Sequence, residues 1–321
     1  MDQIKLTKYM MIACIVMSVV FTSIIGIYVS VRKVDAQDAD VIFAENELGA
    51  NLNHYGKRLI IPLKEGYNRD NVIVEHKMLE RCTSVFVGNT PSDFYKKNEL
   101  TGNGEHVSKL SYGMSNNIVR IDIALDGVYE CVLEYTENAL EIEFLRPKEL
   151  YKHIIVLSPG HGGEDTGTVA NGVTESEVNL KLAHYMKSEL ENAGFGVYMT
   201  RENSEENPAA EDIGALLKNT EADMLFEIHC NGDAATRTTK GLKIAYCGEN
   251  SYPASVLGEK INAAVIKTER DAIAEKTDFV MLFAGYLTNK EDAMRLSDDD
   301  ELSMLASGCA DALVEIMEGS K

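Results

Sequence analysis

Three residues far apart in the chain carry the side chains of one chemistry. His161 lies in SPGHGGEDTG, residues 158 to 167, directly after the apolar run HIIVL. Glu175 is the second residue of TESEVNL, just past the turn-prone NGVT, and His229 ends the apolar run MLFEIH. Two imidazoles and one carboxylate are the ligand set of a hydrolytic zinc site that keeps its fourth position open for water. The glycines around His161 let the backbone pass close to a bound group. Each residue also has a purely local reading. GHGG serves as a tight turn, Glu175 as a partner of a helix dipole, and His229 as a hydrogen-bonded core histidine. Composition alone leaves both readings open.

Zinc ligands must be held by elements that meet at one edge, and the pattern after Pro147 supplies them. His153 to Leu157 reads as a buried strand. Ser176 to Ala193 reads as a helix with Val178, Leu182, Tyr185 and Leu190 inward, ended by Gly194 as a C-cap. Strands follow at Gly196–Thr200, Met224–His229, Gly241–Tyr246 and Phe279–Phe283, with helices at Ala209–Asn219, Ala254–Lys267 and Glu301–Met317. This alternation predicts an α/β fold, a mostly parallel central sheet with flanking helices on both faces. Ligands of such sheets sit beyond the carboxyl ends of the strands, where His161 and His229 fall.

Before Pro147 the period is two. Val119, Ile121, Ile123 and Leu125 alternate with more polar neighbours, as do Tyr129 to Tyr135 and Leu140 to Phe144, with turns at Asp126-Gly127 and Glu137-Asn138. The alternation predicts an antiparallel β-sandwich-like domain, and polar, glycine-dotted Asn89–Asn117 predicts a long loop within it. His54, His76 and His106 are scattered and form no ligand cluster. Ahead of the sandwich, Tyr9 to Val31 carries no charge and is long enough to cross a bilayer as a helix. Lys5 and Lys8 before it balance Arg32 and Lys33 after it, so charge does not set its orientation. The expected organisation is residues 1–36 as a cytoplasmic tail and transmembrane anchor, or a signal segment cut near Val34-Asp35-Ala36. A β-rich domain over 37–147 and a catalytic-type domain over 148–321 follow, both outside the cytoplasm.

The chain has 321 residues, 45% of them hydrophobic, and a net charge of −20. That charge argues against nucleic acid, whose phosphates demand basic faces. Of the 6 cysteines, Cys14 lies in the uncharged segment. No CxxC spacing points to a cysteine zinc site. Cys82 with Cys131, and Cys230 with Cys247, are candidate disulfides, with buried free thiols as the alternative.

Three strings, IVLSPGHGGEDTG, TESEVNL and ADMLFEIHCN, resemble in order and spacing the zinc motifs of the N-acetylmuramoyl-L-alanine amidases. GYLTNKEDAMRL resembles that family's glycine-aromatic-x-x-Asn segment. The resemblance runs from about His153 to Met317. It implies one Zn2+ held by His161, Glu175 and His229, and hydrolysis of the amide between the muramoyl lactyl group and L-alanine in peptidoglycan. The preceding domain more weakly resembles the AMIN domains that guide some of these enzymes to the cell wall. The chain also departs from the pattern. Phe283 stands where the family carries its proton-shuttling glutamate, Ser158 where it has an aspartate, and Glu227 where it has a serine. Residues i and i+2 of a strand share a face, so Glu227 is expected to point the same way as His229. It is a candidate shuttle, an extra ligand or a partner of a cation, while Cys230 points away. An amidase-fold module that binds zinc and wall peptide without cleaving is the alternative function.

Overall fold

The computed structural model describes residues 46–47, 50–53, 56–91, 93–115, 117–233, 235–268 and 277–319. The uncharged stretch Tyr9–Val31 lies outside them. Among the described residues no helix is long and apolar enough to cross a membrane. Glu45–Lys321 forms one compact unit.

The sandwich consists of two five-stranded sheets. Its strands alternate as amphipathic strands must. In Ile118–Leu125 the side chains of Val119, Ile121, Ile123 and Leu125 are buried and the intervening ones are not. They meet Leu59, Ile61, Val85, Leu140 and Ile142 in one apolar core. The segment Asn89–Asn117, expected to contain a long loop, is mostly regular structure among the described residues. It contains a short helix, Phe94–Lys97, and strands Leu100–Asn103 and Val107–Ser115. Cross-strand pairing with Ile118–Leu125 overrides the weak apolar signal of Val107–Ser115, because pairing satisfies a whole row of backbone groups. Of the scattered histidines, His76 is half-buried and desolvation of its ring lowers its pKa to about 4, and His106 stacks on Tyr129.

The second sheet has six strands in the order Gly196–Met199, Ile154–Pro159, Met224–Asn231, Asp278–Tyr286, Lys243–Tyr246, Ala264–Lys267. All neighbouring pairs are parallel except Lys243–Tyr246 against Asp278–Tyr286. Ile154–Pro159 is buried throughout, as a parallel strand covered on both faces requires. Helices Glu175–Asn192, Tyr252–Lys260 and Asp299–Glu318 pack on one face through Leu182, Leu190, Leu257, Ala306 and Leu313. The expected helix Ala254–Lys267 is two elements. Asn262 takes a left-handed conformation, φ 53°, that stops the helix, and the β-branched pair in Ala264–Lys267 then adds an edge strand.

The other face departs from the expectation of helices alone. Leu216 and Leu217 of helix Ala210–Thr220 cover part of it, and Val128, Met78 and Leu79 of the sandwich cover more. A polar contact reinforces this seam: the Tyr198 hydroxyl donates to Glu130 Oε1 at 2.5 Å. The five described cysteines are free thiols, so neither proposed disulfide exists. Cys230 is occupied instead within the core, its thiol 3.6 Å from Asn179 Oδ1.

Candidate metal centre

The six-stranded sheet delivers two of the three candidate ligands directly. His161 follows the strand Ile154–Pro159 and His229 lies near the end of Met224–Asn231, both at the carboxyl edge. Glu175 is the first residue of its helix, reached through a hairpin of Val169–Ala170 and Val173–Thr174 that turns at Asn171-Gly172. Both turn residues have positive φ, which Asn-Gly adopts with little strain.

One donor atom from each of His161, Glu175 and His229 lies within 4.8 Å of the others, the only such group among the described residues. His161 Nε2 is 3.2 Å and His229 Nδ1 is 3.3 Å from the same oxygen, Glu175 Oε1. That carboxylate is 3% exposed and fixed at both oxygens. Oε1 accepts from the Cys230 amide at 2.8 Å and Oε2 from the Thr168 amide at 2.9 Å. Burial pushes its pKa up, but the hydrogen bonds of His229, Thr168 and Cys230 and the nearby His161 outweigh burial and bring it to about 2. Glu175 is therefore an anion at any physiological pH.

The donor set fits a divalent cation. In the neutral ring, donation from His161 Nδ1 to Asp165 Oδ2 at 2.8 Å leaves the lone pair on Nε2. Nε2 then faces a carboxylate oxygen. Two lone pairs aimed at each other repel, whereas a shared cation turns the same contact into two bonds. Asp165→Ala is accordingly expected to weaken zinc binding by about 10- to 100-fold. The melting temperature of the metal-free protein should not change, because Asp165 is half exposed. Competition against a chromophoric chelator measures the first, and an unchanged affinity would show that Asp165 does not set the His161 tautomer.

The glycines have steric reasons. A Cβ on Gly160 would sit 2.1 Å from His229 Cε1, and one on Gly167 would sit 2.6 Å from His161 Cδ2 and 2.9 Å from Glu175 Oε2. His161 itself has φ 64°, a left-handed conformation costly for a residue with a side chain. What holds the loop there is Arg201, which is 1% exposed. Its guanidinium donates to the carbonyls of Pro159, Gly160 and Ser176 at 2.9, 3.1 and 2.8 Å. It thereby ties the His161 loop to the first turn of the Glu175 helix. Asn179 adds a second hydrogen bond to the Gly160 carbonyl, at 3.1 Å. Sequence reasoning missed Arg201, Asp165 and Asn179. Only the spacing of Asp165, four residues after His161, gave any signal.

Along Met224–Asn231, Phe226, Ile228 and Cys230 face the helix-covered core, so Leu225, Glu227 and His229 share the opposite face. Glu227 and Cys230 thus lie on the faces expected. Phe283 is in register with His229 on the adjacent strand, ring centroids 6.4 Å apart. Glu227 is one step deeper, in register with Met281 and Ser158, and 4% exposed. The position next to His229 therefore holds a phenyl ring, and the carboxylate lies lower in the sheet.

A mostly parallel sheet with a candidate His-Glu-His donor set at its carboxyl edge describes the class, and comparison with known proteins identifies the family. The family model described as N-acetylmuramoyl-L-alanine amidase matches residues 155–315. The chain belongs to this family. It is similar to the germination-specific N-acetylmuramoyl-L-alanine amidase of Bacillus subtilis, 27% identical over 179 residues, covering 48% of this chain and 75% of that protein. It is also similar to the N-acetylmuramoyl-L-alanine amidase AmiA of Escherichia coli, 33% identical over 116 residues, covering 35% of this chain and 40% of that protein. Among solved structures it is similar to the amidase AmiC2 of Nostoc punctiforme, with TM-score 0.49 and 22% identity, over 52% of this chain and 98% of that one.

Proposed function

We propose that this chain is a zinc-dependent peptidoglycan hydrolase that cleaves the amide between the N-acetylmuramoyl lactyl group and L-alanine. The observation that carries the reading is the convergence of His161, Glu175 and His229 on one point at the sheet edge. His161, Glu175 and His229 would hold zinc, which would supply Lewis acidity at the scissile carbonyl and a water-derived nucleophile at neutral pH. The protein's own groups do the rest. Asp165 holds the His161 tautomer, and Arg201 and Asn179 hold the loop that carries it. The departing amine must gain a proton, and Phe283 has none to give. Glu227, one step deeper than His229 on the same face, is the one carboxylate on that strand and the candidate for the transfer. A location outside the cytoplasm, with Tyr9–Val31 as membrane anchor, belongs to the same proposal.

Phe283 beside His229 favours a second reading, an amidase-fold module that binds zinc and wall peptide without cleaving. One assay separates the two. Zinc-loaded protein is incubated with purified peptidoglycan and new amino-terminal L-alanine is quantified. Its appearance above the metal-free control supports hydrolysis, and its absence with zinc bound leaves the binding module.

A further inference from the structure

A cavity of about 410 Å³ has a lining that includes Arg237, Lys240 and Lys290. Three cations in one recess stand out in a chain whose net charge is −20. Lys240 is engaged by Glu291, which also lines the cavity. Among the described residues no carboxylate pairs with Arg237 or Lys290. The Thr288 hydroxyl accepts from the Asp233 amide at 2.9 Å, and its own proton has no acceptor among the described residues.

The recess is built into the frame of the metal centre. Asn171, at the tip of the hairpin that leads into Glu175, donates to the Leu287 carbonyl at 2.7 Å. The Leu287 amide donates to the carbonyl of Asn231, two residues after His229. Asp292, 2% exposed, accepts from the Gly241 and Tyr286 amides at 2.8 Å each and so joins the Arg237 loop to the loop after Phe283. The cavity walls are thus continuations of the Glu175, His229 and Phe283 segments.

We propose that this cavity is an anion subsite that receives a carboxylate from the peptide part of the substrate, with Arg237 and Lys290 as its cations. The inference rests on the peptidoglycan reading. In a muramoyl peptide the lactyl carboxyl is consumed in the scissile amide, and the sugar hydroxyls and acetamido group are neutral. The remaining carboxylates lie on the peptide. A guanidinium matches a carboxylate with two parallel N–H bonds, and an ammonium beside it adds a point charge. Both side chains are exposed, so their attraction is moderate and weakens with salt.

The test compares a muramoyl tripeptide bearing free carboxylates with the same molecule bearing carboxamides, titrated calorimetrically into the full zinc-loaded chain. The free acid is expected to bind about tenfold tighter, or about 1.4 kcal/mol. Arg237→Gln with Lys290→Gln should erase that preference while leaving affinity for the carboxamide unchanged. Lys290→Gln alone should erase part of it, which keeps the test open if the double variant fails to fold. Equal affinities in the wild type, no binding of either peptide, or a preference that survives the double substitution would each overturn the subsite. Release of amino-terminal L-alanine is read in the same samples. Release without acid preference removes the subsite and leaves the hydrolytic reading standing, and preference without release does the reverse.

Discussion

His161→Ala, Glu175→Ala and His229→Ala are each expected to reduce bound zinc from about one per chain to a small fraction, as read by elemental analysis after dialysis against buffered metal. The effect is large because a three-ligand site has no spare donor. It is specific because the described residues contain no second cluster of this kind. Glu175 contributes an anion fixed by two backbone amides, so its loss removes both charge and an aligned donor. Zinc that binds the folded state and not the unfolded one also raises stability by mass action. Wild type should therefore melt higher with zinc than without, and the three variants should not. Full occupancy in a His161→Ala, His229→Ala double variant would sink the assignment.

Phe283→Glu is expected to raise amide cleavage by at least about tenfold, since a positioned general acid–base group contributes roughly 10²- to 10⁴-fold. The strand frame makes this a small change of shape. Phe283 is already in register with His229 and half-buried, so a glutamate at the same Cβ inherits the approach to the site. Glu227→Gln decides where the wild-type proton comes from. If Glu227 serves, this variant loses most of the wild-type rate while keeping zinc, and Phe283→Glu adds little. If it does not serve, Glu227→Gln leaves the Phe283→Glu rate unchanged. Cleavage by none of the three proteins with zinc bound would overturn the hydrolytic reading. Zinc content measured beside every rate keeps these outcomes apart.

Local chemistry made much of this protein readable. His161, Glu175 and His229 were legible as candidates because each sits where a strand ends or a helix begins, and the resemblance of their three strings to the family's zinc motifs favoured the metal reading over the local ones. Phe283 was readable as a departure only through the resemblance, because GYLTN fixes which position holds the family's glutamate. The runs HIIVL and MLFEIH could only be buried strands, and the two-residue period of Ile118–Leu125 could only be one face of a sheet. Where the signal depended on a partner strand, reading failed. Val107–Ser115 has too few inward apolar residues to declare itself until paired, and Ala264–Lys267 passed for the end of a helix until Asn262 turned the chain.

The amino-acid sequence alone therefore determined the donor types, their order and the two rhythms of secondary structure, because these follow from residue chemistry over a few neighbours. The tertiary structure alone decided that Arg201 ties the His161 loop to the Glu175 helix and that the sandwich, beside one helix, closes the second face of the parallel sheet. It alone left Cys131 and Cys230 unpaired and gathered Arg237 and Lys290 into one recess. Each of these depends on contacts between segments distant in the chain. Such contacts are selected by burial and hydrogen-bond satisfaction in the whole fold, and no short stretch of residues encodes them.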